Sequence, residues 1–206
     1  TRSLPSYGMA IAVQNNLAYI LTEQHGLLIF DVQNPLQPVK LGEAPIPYGS
    51  HVTHYGISLA GQFVYAANGS TGLYIIDVSS PENPEVVGHG DTFGKATGVS
   101  VSGQWAYVSV YEFGLRVFDI SNPKAPVQRG FLQTSLAPGE MDVAVVGQTA
   151  YVIGIVDDLD GIHVINIIDP TKPSLVTSIP TTSGFNFRIT VEGNRAYIAV
   201  LDFGLQ

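Results

Sequence analysis

Apolar residues along this chain fall in short runs, many alternating with polar positions, and the runs are broken by Gly, Asn or Pro. Such runs are of strand length, and no stretch carries a convincing helical period. The clearest run recurs: HGLLIFDVQNPLQP at 25–38 returns as TGLYIIDVSSPENP at 71–84, as FGLRVFDISNPKAP at 113–126 and more loosely as DGIHVINIIDPTKP at 160–173. Within it Leu27, Ile29, Phe30 and Val32 place apolar groups on both faces of one strand, whereas a sheet with one wet face would alternate. Both faces of that strand must therefore be covered.

A second marker sets the period. Tyr19, Tyr65, Tyr107, Tyr151 and Tyr197 follow one another at intervals of 42 to 46 residues, the range of a repeat architecture. Four residues before each stands Asn15, Gly61, Gly103, Gly147 or Gly193, followed by Asn or Gln, which is hairpin chemistry because tight turns need positive φ. Seven residues after the tyrosine comes Gly26, Gly72, Gly114 or Gly204, while Gly161 of the fourth unit follows after ten; this implies a second hairpin with one insertion. The proline pairs Pro35/Pro38, Pro81/Pro84, Pro123/Pro126 and Pro170/Pro173 mark a third turn, since proline lacks the N–H that a ladder needs. Each unit thus reads as four antiparallel strands, placed in the second unit near 55–60, 63–68, 73–78 and 85–90.

Four-stranded sheets covered front and back by their neighbours, at about 40–45 residues each, describe a β-propeller, and the fold expected is all-β. The units are 7–47, 54–94, 96–138, 140–183 and a partial fifth at 185–206, in one domain. Closing a ring of five would lack nearly two strands. The expectation is therefore that the chain belongs to a longer one, or that another segment fills the gap, in a ring of more than five blades. The tyrosines, one per unit in the middle of a strand, are expected to pack between blades.

Composition narrows the partners. The chain has 17 acidic residues against 9 basic ones, a net charge of −8 that repels phosphate backbones and anionic lipid heads. Nucleic acid is excluded as a partner on this ground. Direct membrane insertion is excluded too, because the most apolar run, 144–156, is too short for a spanning helix. With no cysteine, disulfides and thiolate zinc sites are absent.

The motifs LLIFD, LYIID, LRVFD and IHVIN, each after a Gly and before Pro-x-x-Pro, resemble the LVIVD repeat of bacterial and archaeal secreted or cell-surface proteins. The resemblance spans essentially the whole chain. It implies a β-propeller, an extracellular, cell-surface or periplasmic location, and no defined set of catalytic residues. The fourth unit departs from it by placing Asn166 where Asp31, Asp77 and Asp119 stand. A carboxylate or amide there would accept backbone N–H bonds from the turn that follows, so hydrogen bonding rather than charge is the shared role.

In such a fold the loops between second and third strands and the connections between blades share one face, where length and chemistry vary. That irregular face is the place to look for function. Its sharpest feature is the insertion IVDDLDG, in which Asp157, Asp158 and Asp160 bring three carboxylates close together, and Ca²⁺ takes such oxygens; no distal Glu completes an EF-hand-like loop. His51 and His54 in HVTH are candidate ligand-binding residues without a third metal donor set by spacing. Glu23, Glu112 and Asp202, at hairpin tips, would project around the central opening. Asn68-Gly69-Ser70 is a formal glycosylation sequon on what reads as an exposed loop.

No G-x-S-x-G elbow or H-E-x-x-H is present. The expected function is a non-catalytic binding or structural module, secreted or at the cell surface, meeting a protein or glycan partner, or other segments of a larger chain or assembly, through its loop-rich acidic face. No cofactor is required, Ca²⁺ being the one the acidic insertion would take. The alternative is a propeller hydrolase or lyase acting on a polysaccharide or small ester, with Asp157, Asp158, Asp160, His51 and His54 as first suspects.

Overall fold

The computed structural model of the protein describes residues 4–47, 56–111, 113–134, 142–156, 159–181, 186–200 and 204–205. They form five separate antiparallel sheets, four of them four-stranded meanders and one of three strands. Blade 1 holds β1 (Gly8–Gln14), β2 (Leu17–Thr22), β3 (Gly26–Asp31) and β4 (Val39–Ala44). Blade 2 holds β5 (Gly56–Ala60), β6 (Phe63–Ala67), β7 (Leu73–Asp77) and β8 (Glu85–Gly90), within a residue of the bounds read from the sequence. Blade 3 holds β9 (Lys95–Ser102), β10 (Trp105–Tyr111), β11 (Gly114–Asp119) and β12 (Val127–Leu132). Blade 4 holds β13 (Val143–Val146), β14 (Thr149–Val156), β15 (Leu159–Asn166) and β16 (Ser174–Pro180). Blade 5 holds β17 (Asn186–Glu192), β18 (Arg195–Val200) and β19 (Gly204–Leu205).

The core is a set of layers between blades. In β7, Tyr74 and Ile76 pack with Leu21, Leu27 and Ile29 of blade 1, whereas Leu73 and Ile75 pack with Val99, Val108 and Phe118 of blade 3. Further layers join blade 3 to blade 4 and blade 4 to blade 5. This is why the third strand of blades 2, 3 and 4 is apolar on both faces: each of these sheets is a partition with a neighbour on either side. Every fully buried Leu or Ile in these layers contributes ~1.5–3 kcal/mol relative to exposure. Tyr19, Tyr65 and Tyr107 are buried in successive layers, and burial pushes their phenols up from the ordinary value.

Turn chemistry sets the register. Gly61, Gly103, Gly147 and Gly193 all hold φ between +58° and +61° in the first hairpin, and Asn15 takes φ +52° in their place. At the end of the third strand, Asp31 Oδ1 accepts the N–H of Gln33 at 2.7 Å, Asp77 that of Ser79 at 2.9 Å and Asp119 that of Ser121 at 2.9 Å. Asn166 Oδ1 accepts the N–H of Ile168 at 2.9 Å, the same bond without the charge. Blades also touch through backbone. A Cβ on Gly88 would lie 1.9 Å from the Pro123 carbonyl oxygen of the next blade, and Gly42 and Gly130 meet Pro81 and Pro170 in the same way. The fourth strands of blades 1, 2 and 3 thus nest against the proline turn of the next blade.

The insertion of the fourth unit extends a ladder. Pairing between β14 and β15 continues to Val156↔Leu159, with Gly161 opposite Gly154 in the strand rather than at a turn. Among the described residues no helix is long and apolar enough to cross a membrane.

Candidate functional site

The first strand of each blade runs from the interblade connection to the Gly or Asn hairpin, and together these strands line a central cavity of about 510 Å³. One tier of this lining is set nine residues before each repeat tyrosine, where Ala10, Gly56, Gly98, Asp142 and Arg188 stand in turn. Three blades place nothing larger than a methyl there; blades 4 and 5 place an acid and a base. Ladder pairing agrees with the alignment, since Gly98 lies opposite Ser109 and the following Val99 and Val143 lie opposite Val108 and Val152.

The two charges meet. Asp142 is buried, and its Oδ1 lies 3.5 Å from Nη1 of Arg188 while its Oδ2 accepts the N–H of Ile189 at 3.1 Å. Burial pushes the Asp142 carboxyl above its ordinary value, against the opposing pull of Arg188 and of the Ile189 and Val143 N–H groups. Arg188 is about one-third exposed at its side chain, so it forms the solvent side of the pair. Gly98 makes room for the acid: a Cβ there would sit 2.5 Å from Asp142 Oδ1 and 2.7 Å from Ser109 Oγ. The rest of the wall includes Met9, Ile11, Ile57 and Val99. The cavity therefore presents one fixed acceptor, one fixed donor fork and apolar surface, at the end of the channel nearest the variable loops.

The residues singled out from sequence lie elsewhere. Glu23 follows β2 in blade 1, half-buried, with its N–H donating to the Tyr7 carbonyl at 3.0 Å, and it borders a separate hollow formed with Leu4–Gly8. Asp160 is in blade 4 opposite Ile155, and its carbonyl accepts the N–H and hydroxyl of Thr181 at 2.8 and 2.9 Å. Burial raises its carboxyl above the ordinary value. His51, His54, Glu112, Asp157, Asp158 and Asp202 lie outside the described residues. Among the described residues no group of three or more His, Asp or Glu gathers as a metal site would require.

The sequon needs correction. Asn68 is 2% exposed, and its amide donates to the Pro47 carbonyl and to Thr71 Oγ1, both at 2.7 Å. Asn68 itself is buried although Ser70 of the same loop is exposed, and its amide is committed to holding two segments together.

Asp142 and Arg188 escape a reading of motifs alone. A signal for them exists: they break the Ala/Gly pattern at a constant offset from the repeat tyrosine. Their side-by-side placement across 46 residues is a property of the ring.

The LVIVD repeat family is matched at residues 6–43, 55–92, 93–134 and 140–181, and the chain belongs to that family. No curated protein sequence matches it. Among solved structures it resembles a functionally unknown protein from Desulfotomaculum acetoxidans at 14% identity and TM-score 0.75, covering 97% of this chain and 64% of that one. It also resembles the WD40 β-propeller domain of Doa1 at 10% identity and TM-score 0.69, covering 97% and 63%. A putative 6-phosphogluconolactonase from Bacteroides fragilis is similar at 14% identity and TM-score 0.67, covering 91% and 62%. The fold is that of a β-propeller, and the chain spans less than two-thirds of the length of each of these structures.

Proposed function

We propose that the protein is a non-catalytic binding module that receives a small, neutral, hydroxyl-bearing group, such as the end of a glycan, at the axial cavity. The observation that carries this reading is the Asp142–Arg188 pair, set in a ring position otherwise reserved for Gly and Ala. A carboxylate that accepts and a guanidinium that donates suit hydroxyl groups, and the pair adds no net charge that would demand a charged ligand. The adjoining Met9, Ile57 and Val99 suit the C–H faces of a sugar. The loop-rich acidic face around the mouth supplies the surrounding contacts. Secreted or cell-surface placement is part of the same proposal and is supported by the character of the repeat family alone.

Titration calorimetry against a panel of neutral mono- and oligosaccharides tests it. At least one is expected to bind the wild type and to lose about tenfold or more in affinity with Asp142→Asn. A panel with no binder, or binding indifferent to Asp142→Asn, would refute the site. Turnover of a nitrophenyl ester or glycoside abolished by the same substitution would refute the non-catalytic part and favour the hydrolase.

A further inference from the structure

A second surface stands apart from the axis, at the loop end of blade 3. The residue two places after Gly26, Gly72, Gly114 and Gly161 varies freely between blades, as Leu28, Tyr74, Arg116 and His163. In blade 3 it is a cation held among phenyl rings: the Arg116 guanidinium carbon lies 5.2 Å from the centre of the Phe131 ring and 5.9 Å from that of Phe113. Its Nη1 is buried and has no hydrogen-bond partner among the described residues. Phe131 is 62% exposed and Phe113 37%, so the rings are not there to fill a core.

The neighbouring loop adds to the patch. Phe93 takes φ +53°, in the left-handed region where a bulky side chain is strained, and is 73% exposed. Asp91 Oδ1 accepts its N–H at 2.7 Å, and Thr92 Oγ1 donates to the Gly94 carbonyl at 2.7 Å, so the turn is pinned in this shape. Gly94 is needed for the approach, because a Cβ there would fall 2.6 Å from the Phe113 ring. At the same end of the blade Lys95 lies over Tyr111 at 5.6 Å. Lys95 belongs to the first strand of the blade and Arg116 to the third, so the two cation–ring contacts lie on different strands.

We propose that this rim is a docking surface for a segment of a partner protein in which Asp or Glu stands beside Phe or Leu, the carboxylate reaching Arg116 and the apolar group lying on Phe93 and Phe131. Charge complementarity selects that occupant. The guanidinium is already partly stripped of water, so an incoming carboxylate gains a charged hydrogen bond without a second desolvation of the arginine. A basic or purely apolar segment would bring the arginine no acceptor.

An array of short peptides carrying Phe or Leu next to Glu, each with its Gln counterpart, tests this against the wild type, Arg116→Gln and Phe131→Ala, with folding checked by circular dichroism. The wild type is expected to retain Glu peptides over Gln counterparts by about tenfold. Arg116→Gln is expected to erase that preference, and Phe131→Ala to weaken both peptide sets. Asp142→Asn should change nothing, which separates this surface from the axial one. Retention of neither peptide set by folded wild type, or a preference for Glu that survives Arg116→Gln, would overturn the proposal.

Discussion

At the foot of blade 4, Asn166 replaces the Asp of the other complete blades and the turn keeps its bond; at the axis of the same blade, Asp142 replaces a small residue and changes what the cavity offers. The two positions differ in what surrounds them. The foot is exposed and asks only for an acceptor, so charge is incidental. The axis is enclosed, so a carboxylate there must be paired, and the pair is supplied by the next blade. A repeat thus tolerates change where a local bond suffices and acquires chemistry where two blades must change together.

The largest effect expected from testing this contrast is at Arg188. Arg188→Ala leaves Asp142 with backbone donors alone and should lower unfolding free energy by about 2–3 kcal/mol in urea at neutral pH, a figure reduced for the partial exposure of the arginine. Asp142→Asn keeps an acceptor for Ile189 and should cost less. An Arg188→Ala protein as stable as the wild type would mean that the pair is not coupled.

Next comes the room made for the acid. Gly98→Ala puts a methyl against Asp142 and Ser109 and should destabilise by about 2 kcal/mol, more than Gly103→Ala, which has open space around it and suffers only the positive φ, worth about 1 kcal/mol. Equal midpoint shifts for the two would contradict the crowding.

The two kinds of acid also respond to pH with opposite sign. Asp142 has its folded value raised above the ordinary carboxyl value of 3.8, so the folded state holds the proton more tightly and stability falls as pH rises from there through the raised value. Asp77 has its value lowered, chiefly by the Ser79 N–H and then its hydroxyl, so its contribution is present above 3.8 and is lost as pH falls through the folded value. Melting temperatures across the acidic range should show Asp142→Asn flattening the first limb and leaving the second. The smallest effect is at the foot itself: Asp77→Asn should change stability by no more than about 0.5 kcal/mol, against about 1 kcal/mol for Asp77→Ala.

Much of the scaffold is legible in the order of residues. The strand bounds of blade 2, the hairpin glycines, the double-faced third strand and the Asp/Asn turn all follow from local rules, because strand length, turn φ and capping are decided within a few residues. The sites are less legible. Asn68 reads as a surface sequon, yet its amide ties two loops together at Pro47, a contact over 21 residues. The fourth unit reads as a hairpin with an insertion before Gly161, and the structure carries pairing past that glycine to Val156↔Leu159, so Gly161 lies within the strand.

By itself, then, the sequence determined the repeat, its four-stranded unit and the turns that end each strand, all products of short-range backbone chemistry. Tertiary structure alone decided that Asp142 meets Arg188, that Gly88 admits Pro123, and that Arg116 lies among Phe113 and Phe131. The first two contacts cross from one blade to the next. The third depends on the turn that presents Phe113 and on the strand that carries Phe131. Such contacts are set by how sheets stack around an axis and how their strands pair, and spacing along the chain does not reveal which side chains will face one another there.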